Sequence, residues 1–414
     1  MTTSSKKFIG LFIIIIVFAV FLVLRPKTTL TPISNTEVES TQIKNPDLST
    51  LPIFKNGLVS SGVNLDNLGY HTFSPDGKYF VFTGIKDTDL IPAKTYLVVL
   101  ATGEVKELPG IMLRSVEDSR IITLFKDQDL VLYDPATELS ENIPTDGNIF
   151  SGVLSPDGKR YVFDTLAGVK VYNRTAETTE SLSATQYDGA SAWFADSTRM
   201  LGFKNNGKAR FEAGYGRSLG IWNIDTKVFT PFSPTILSKI PTDLIRSTTW
   251  IVPGTIARIN TGWDDGSHDY LFNLATEEFT DLGETSGALM GGMKEDSSLG
   301  LFAIVNSIEG QNPKVTATIY KGMDKIASVE LPTGFIRESV QIINEDSLLY
   351  IRKRLDQKQT IENVALVKLD VKTGTETLLK DIPTNFYSVA SITPDRKNWV
   401  INNKNEFLVG AIVQ

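Results

Sequence analysis

A four-strand phrase recurring every 40–50 residues narrows what this chain can fold into more than any other feature. From about residue 70 each unit reads as a short apolar strand, an acidic turn, two further strands and a polar fourth strand. The turn is clearest at Ser74-Pro75-Asp76-Gly77-Lys78, recurs at Ser155-Pro156-Asp157-Gly158-Lys159, and loosens to Thr393-Pro394-Asp395-Arg396-Lys397. Weaker echoes carry Asp118, Asp196, Asp296 and Asp346. Proline presets φ at the first corner, aspartate accepts from nearby backbone N–H groups, and glycine takes the positive φ that reverses the strand. The second halves repeat as well, as in "YLVVLATGEVKEL", "LVLYDPATELSENI" and "YLFNLATEEFTDL".

Successive turn aspartates are separated by 42, 39, 39, 100, 50 and 49 residues, and the double step holds one further unit at 243–283. Eight units of four strands predict an all-β chain, an eight-bladed β-propeller, in which each blade buries both faces against its neighbours. Seven blades is the alternative if the degenerate unit at 112–143 is miscounted. The last unit, 387–414, has room for three strands, while "LPIFKNGLV" at 51–59 stands alone before the first. The ring is expected over 51–414, closed by strand 51–59 as the outer strand of the last blade.

Ahead of the repeats, Phe8–Leu24 is an unbroken apolar run flanked by Lys6, Lys7, Arg25 and Lys27. Seventeen helical residues reach roughly 26 Å, close to a bilayer core once the flanking cations snorkel. The bulky "VFAVFLVLRPK" at the end of the run lacks a small-residue cleavage site, which favours an uncleaved transmembrane signal anchor over a cleaved signal peptide. The expected layout is a cytoplasmic N-terminus at 1–7, a transmembrane helix at 8–24, a flexible Thr/Ser/Asn/Pro stalk at 25–50, and the propeller on the extracytoplasmic side of the cell membrane.

The first fifty residues carry five basic and three acidic side chains, a balance of +2, so with −7 over the whole chain residues 51–414 carry −9. Such a body lacks the basic footprint of a nucleic-acid binder. With no cysteine, disulfides, thiolate metal sites, a cysteine nucleophile and a lipidated cysteine anchor are all excluded.

The "SPDGK" turn followed by an aromatic-rich strand, at Ser74–Phe82 and Ser155–Phe163, resembles the WD40-like Pro-Asp repeat of TolB-type and dipeptidyl-peptidase-type propellers. The resemblance covers nearly all of 51–414 and implies architecture, since such repeats serve unrelated roles and the motif itself is structural. It carries no catalytic residue over. The α/β catalytic domain that follows the propeller in the peptidases has no counterpart expected in this sequence.

Candidate chemistry is thin. Gly216-Arg217-Ser218-Leu219-Gly220 matches G-x-S-x-G, but "IWNID" after it reads as strand and not as the helix a nucleophile elbow needs. His71 and His268 lack metal-ligand spacing; His71 reads as an inner-strand residue. Asp264, Asp265 and Asp269 crowd the loop around His268 without the EF-hand pattern, and Asp87 and Asp89 read as an ordinary acidic loop. No catalytic residue, cofactor or metal is therefore expected. Trp193, Trp222, Trp250 and Trp399 read as core, while Trp263 with Tyr215 and Arg217 is the candidate interaction patch. The expected role is non-enzymatic: a cell-envelope scaffold binding an envelope protein or polymer. The alternative is a glycan or peptide hydrolase or lyase using rim carboxylates.

Overall fold

In a computed structural model of the chain, eight antiparallel sheets follow one another in sequence, and each is a meander of consecutive strands. The structure describes residues 47–51, 53–54, 67–85, 92–112, 118–126, 129–145, 149–185, 187–208, 216–239, 245–263, 266–284, 292–308, 314–355, 361–383, 389–403 and 406–412. The expected membrane segment 8–24 and nearly all of the stalk lie outside these residues. No helix among the described residues is long and apolar enough to cross a membrane.

Blades 1 to 8 occupy 67–107, 111–143, 149–181, 189–231, 245–284, 292–331, 335–382 and 390–411. The expected eight-bladed all-β ring is present. The doubtful second unit is a blade whose first strand is only Ile111–Met112, with a lone bridge between Asp118 and Ile121. The unit inferred inside the double step is blade 5, Ile245–Glu284.

Strands such as "KYFVFTG" read as continuous apolar runs because each inner strand is covered on both sides, and strand alternation sends successive residues to opposite neighbours. Phe80, Phe82, Tyr96 and Val98 of blade 1 pack with Val400 and Phe407 of blade 8. Val81 and Leu97 pack the other way, onto Ile122, Leu124 and Val131 of blade 2. In blade 3, Tyr161 and Phe163 likewise meet blade 2 while Val162 meets Trp193 and Trp222 of blade 4. The outer strand of that blade, Thr178–Ser181, is exposed throughout, as a polar fourth strand should be.

Closure between blades 8 and 1 involves the chain just before the ring. Asp47 caps a 3-10 turn at Leu48–Thr50 by accepting from Ser49 N–H at 3.0 Å. Leu48, Leu51, Ile53 and Phe54 are buried in the same cluster as Phe80 and Phe407. Phe54 lies 5.2 Å from Phe80 and 6.1 Å from Phe407, edge to face. Among the described residues the last blade has three strands, and Ile53 and Phe54 are helical; most of the expected closing strand 51–59 lies outside the described residues.

The Pro-Asp turns work as the sequence physics requires. Ser74 Oγ donates to Asp76 Oδ1 at 2.8 Å while accepting from Tyr79 N–H at 3.0 Å, and Gly77 takes φ 69°. Ser155 with Asp157, and Thr393 with Asp395, repeat the clasp. The degenerate copies tie blades together. Ser119, after Asp118, accepts from the Asp76 N–H of blade 1 at 2.9 Å. Ser197, after Asp196, accepts from the Asp157 N–H of blade 3 at 3.0 Å. Replacing Ser197 with alanine should therefore cost about 1 kcal/mol, read as a lowered urea midpoint at unchanged m-value. The matching Ser119→Ala change should add to it, because the two sites share no partner.

Acid sensitivity follows from the same turns. Burial alone would lift the carboxyls of Asp76, Asp118, Asp196 and Asp296, yet hydrogen bonds and neighbouring cations outweigh it and hold each below its ordinary 3.8. A carboxyl depressed in the fold stabilises at every pH above its unfolded value, and that gain is lost as pH falls through the folded value. The urea midpoint should therefore stay level from pH 7 to about 5 and fall below about pH 4.

Candidate functional site

The first strands of seven blades, with Asp118, Ile121 and Thr123 of blade 2, line a central channel of about 1130 Å³. Its wall is rich in hydroxyls, among them Thr72, Thr123, Ser151, Ser191, Thr248 and Ser391. Indoles stitch the wall together: Trp193 Nε1 donates to Val153 O at 3.2 Å and Trp250 Nε1 to Trp193 O at 2.7 Å. On the far side Gln341 Nε2 donates to Ala390 O at 3.2 Å. Trp193, Trp222, Trp250 and Trp399 are thus core residues, as expected.

Five described carboxylates line the channel, and the frame occupies each of them. Asp118 pairs with Arg120, and Asp296 with Arg396 at 2.5 Å. Glu295 pairs with Arg258, which also holds the fully buried Asp269 at 2.7 Å. Asp164 accepts from Ser151 Oγ at 2.6 Å and from Ala190 N–H at 3.2 Å. Asp188 accepts from Asn205 N–H at 2.6 Å and from Ser183 Oγ. Burial pushes the Asp188 carboxyl above its ordinary value, in spite of these bonds and of Lys204 and Arg217 nearby.

The expected patch of Trp263, Tyr215 and Arg217 is placed only in part. Tyr215 lies outside the described residues. Trp263 ends the second strand of blade 5, where it pairs with Gly266. Arg217 opens the third strand of blade 4 and lines the channel, its guanidinium 4.8 Å from the Phe203 ring and 5.9 Å from Tyr187. It donates to Ile245 O, and Ile245 pairs with Thr261, two residues before Trp263, so the backbone brings both positions to one end of blades 4 and 5.

The other singled-out residues are built into strands. Ser218 sits within strand Arg217–Asn223, opposite Lys204, so the G-x-S-x-G match spans no strand-to-helix turn. His71 lies buried on the first strand of blade 1, 3.4 Å from Val400 O. His268 stacks on Tyr270 at 4.8 Å and pairs with Asp281. Asp269 is committed to Arg258 and Asn260, while Asp264, Asp265, Asp87 and Asp89 lie outside the described residues. Among the described residues no cluster of three or more His, Cys, Asp or Glu could hold a metal ion. Sequence reasoning missed Asp164, Tyr187, Asp188 and Arg246 on the channel wall, and nothing local in the sequence distinguishes them.

No protein-family model matches the sequence, and no curated protein matches it. Solved structures are similar to this chain at low sequence identity. Dipeptidyl peptidase 4 of Porphyromonas gingivalis aligns over 83% of this chain at 12% identity and TM-score 0.53, and this chain spans 57% of that protein's length. The Dos1 propeller aligns over 83% of this chain and 92% of its own at 10% identity and TM-score 0.52. TolB of Acinetobacter baumannii aligns over 76% and 79% at 11% identity and TM-score 0.35. At such identities the likeness speaks for fold alone, and the fold this chain shares with the first two structures is that of a β-propeller.

Proposed function

We propose that this chain is a binding module: an eight-bladed propeller, held outside the cytoplasm by Phe8–Leu24, that engages an envelope protein or polymer. The observation that supports this reading best is the occupied state of the channel carboxylates. General acid–base or nucleophilic work needs a carboxyl within reach of a substrate and free to change its bonding. Asp118, Asp164, Asp188, Glu295 and Asp296 are instead held by arginines, hydroxyls or backbone N–H groups of the frame. Asp188, whose carboxyl is pushed up by burial, is 3% exposed and serves the base of blade 4.

Crosslinking intact cells that carry the wild-type chain, beside cells carrying a form without residues 25–50, tests this. A specific partner should be captured by the first and lost or diminished with the second. Capture of no specific partner, together with turnover of an envelope glycan by the pure protein, would overturn the reading in favour of a hydrolase or lyase.

A further inference from the structure

We propose that Arg396 is a latch at the Pro-Asp end of the channel: shut onto Asp296 and Ser298 it covers the inner end of blade 7, and turned away it opens that side of the channel. The device governs access, and it holds whether the channel binds its ligand or turns it over.

The latch sits where the Pro-Asp motif is broken. In the regular turns the residue after the aspartate is Gly77 or Gly158, at φ 69° and 74°. Arg396 takes that position in blade 8 with φ 56°, a strained conformation for any residue but glycine. Glycine would serve the turn without the strain, so what arginine adds is its side chain. The turn around it is the ordinary clasp. Thr393 Oγ1 donates to Asp395 Oδ1 at 2.6 Å and accepts from Asn398 N–H at 3.1 Å, and Arg396 N–H donates to Thr393 O at 2.8 Å. With the backbone held in this way, side-chain torsions alone separate the shut and open states.

The side chain reaches past a whole blade. Arg396 Nη2 donates to Asp296 Oδ2 at 2.5 Å and to Ser298 Oγ at 3.2 Å, both in blade 6. Blade 7 leaves room for this because its own turn, 344–347, is tied toward the rim. Glu345 pairs with Lys321 of blade 6 at 2.6 Å, and Asp346 with Lys372 at 2.8 Å. Among the described residues blade 7 gives only Gln341 and Ile342 to the channel wall, and Arg396, Asp296 and Ser298 line the same wall from either side of them.

The shut state is a contact that water can replace. Arg396 Nε is buried and finds no acceptor among the described residues, a cost that turning out to solvent would relieve. Against that cost stand the bonds to Asp296 and Ser298. Burial would raise the Asp296 carboxyl, but Ser298 and Arg396 hold it below its ordinary value, so the latch closes on a charged carboxylate. Arg396 is 24% exposed and Asp296 18%, which leaves the pair within reach of solvent.

Because the chain has no cysteine, a single introduced thiol reports access. Ser391 is the place for it: it lines the channel on the first strand of blade 8, two residues before Thr393, and its Oγ is buried without a partner among the described residues, so Ser391→Cys breaks no bond. Ala192→Cys, buried on the channel wall in blade 4 on the opposite side of the ring, is the control. Alkylation by iodoacetamide, followed by mass spectrometry of the full chain in neutral detergent, reads both thiols. Adding Arg396→Gly should speed alkylation at Ser391→Cys at least about tenfold and leave Ala192→Cys within about twofold, because the opening is local. The thermal midpoint should not fall, since glycine suits the turn. Asp296→Asn, which leaves the turn of blade 8 untouched, should speed the same thiol several-fold and carries the test if Arg396→Gly folds poorly. An unchanged rate at Ser391→Cys in both variants, or an equal rise at both thiols from a general loosening of the ring, would each overturn the latch.

Discussion

Replacing Glu376 with alanine is expected to destabilise the propeller by about 3–5 kcal/mol, because it strands a fully buried guanidinium. Arg337 is 0% exposed on the first strand of blade 7. It donates to Pro332 O at 3.0 Å and to Glu376 Oε1 at 3.3 Å. Glu376 also accepts from Tyr350 Oη and from Arg352. Burial would raise the Glu376 carboxyl, but the Tyr350 hydrogen bond and the two guanidinium groups outweigh it and hold it below its ordinary value. Burial, with that carboxylate beside it, pushes the Tyr350 hydroxyl well up. The four side chains form one network, buried at Arg337 and Tyr350, in which the carboxylate is the shared acceptor.

The size of the effect comes from what remains after the change. Arg352 is partly exposed and can turn to water, whereas Arg337 cannot. Removing both members of this pair, as Arg337→Met with Glu376→Leu, should recover most of the loss, since a packed apolar pair of similar volume is often neutral against an ion pair. Guanidinium unfolding of the two single variants and the double variant measures this as a double-mutant cycle. A Glu376→Ala change costing under about 1 kcal/mol would mean that the guanidinium finds solvent and that blade 7 is looser than its burial indicates.

Neither Arg337 nor Glu376 is conspicuous in "FIRESVQII" or "TGTETLL", which shows where sequence reading stops. The blades are legible because hairpins are local: turn chemistry and apolar runs lie within a dozen residues, and their period counts to eight. What looked like decay of the motif at Asp118-Ser119, Asp196-Ser197 and Asp395-Arg396 is where blade meets blade. The partners lie 43, 40 and 100 residues away, beyond any local pattern. The channel was illegible for the same reason. Tyr187, Asp188 and Arg246 stand in unremarkable stretches and become neighbours only when blades 4 and 5 are set side by side around the axis. Arg217 belongs to the expected interaction patch; its place on that wall depends on its contact with Phe203 and its strand-start position, which only the fold reveals.

The two glycines of the G-x-S-x-G match separate a strand from a nucleophile elbow. An elbow places the serine on a tight strand-to-helix turn, where close approach makes both flanking glycines intolerant of a side chain. In this fold the stretch is a strand, and the two positions differ. A Cβ on Gly220 would sit 2.4 Å from Thr230 O, 2.7 Å from the Phe229 ring and 2.8 Å from Pro231 Cα. Two of these obstacles are backbone of the outer strand Val228–Pro231, which cannot turn aside without breaking its pairing with the strand Arg217–Asn223. A Cβ on Gly216 meets only Asn206 Nδ2, at 3.7 Å. Gly220→Ala should therefore cost about 1–3 kcal/mol or more, while Gly216→Ala should stay within about 0.5 kcal/mol. Urea unfolding followed by tryptophan fluorescence reads both, because Trp222 lies two residues beyond Gly220, fully buried with Phe229 at 4.8 Å. Ser218→Ala, on the same strand, should leave partner capture unchanged. Equal losses from the two glycine variants, together with loss of a hydrolytic activity in Ser218→Ala, would return the site to the elbow reading.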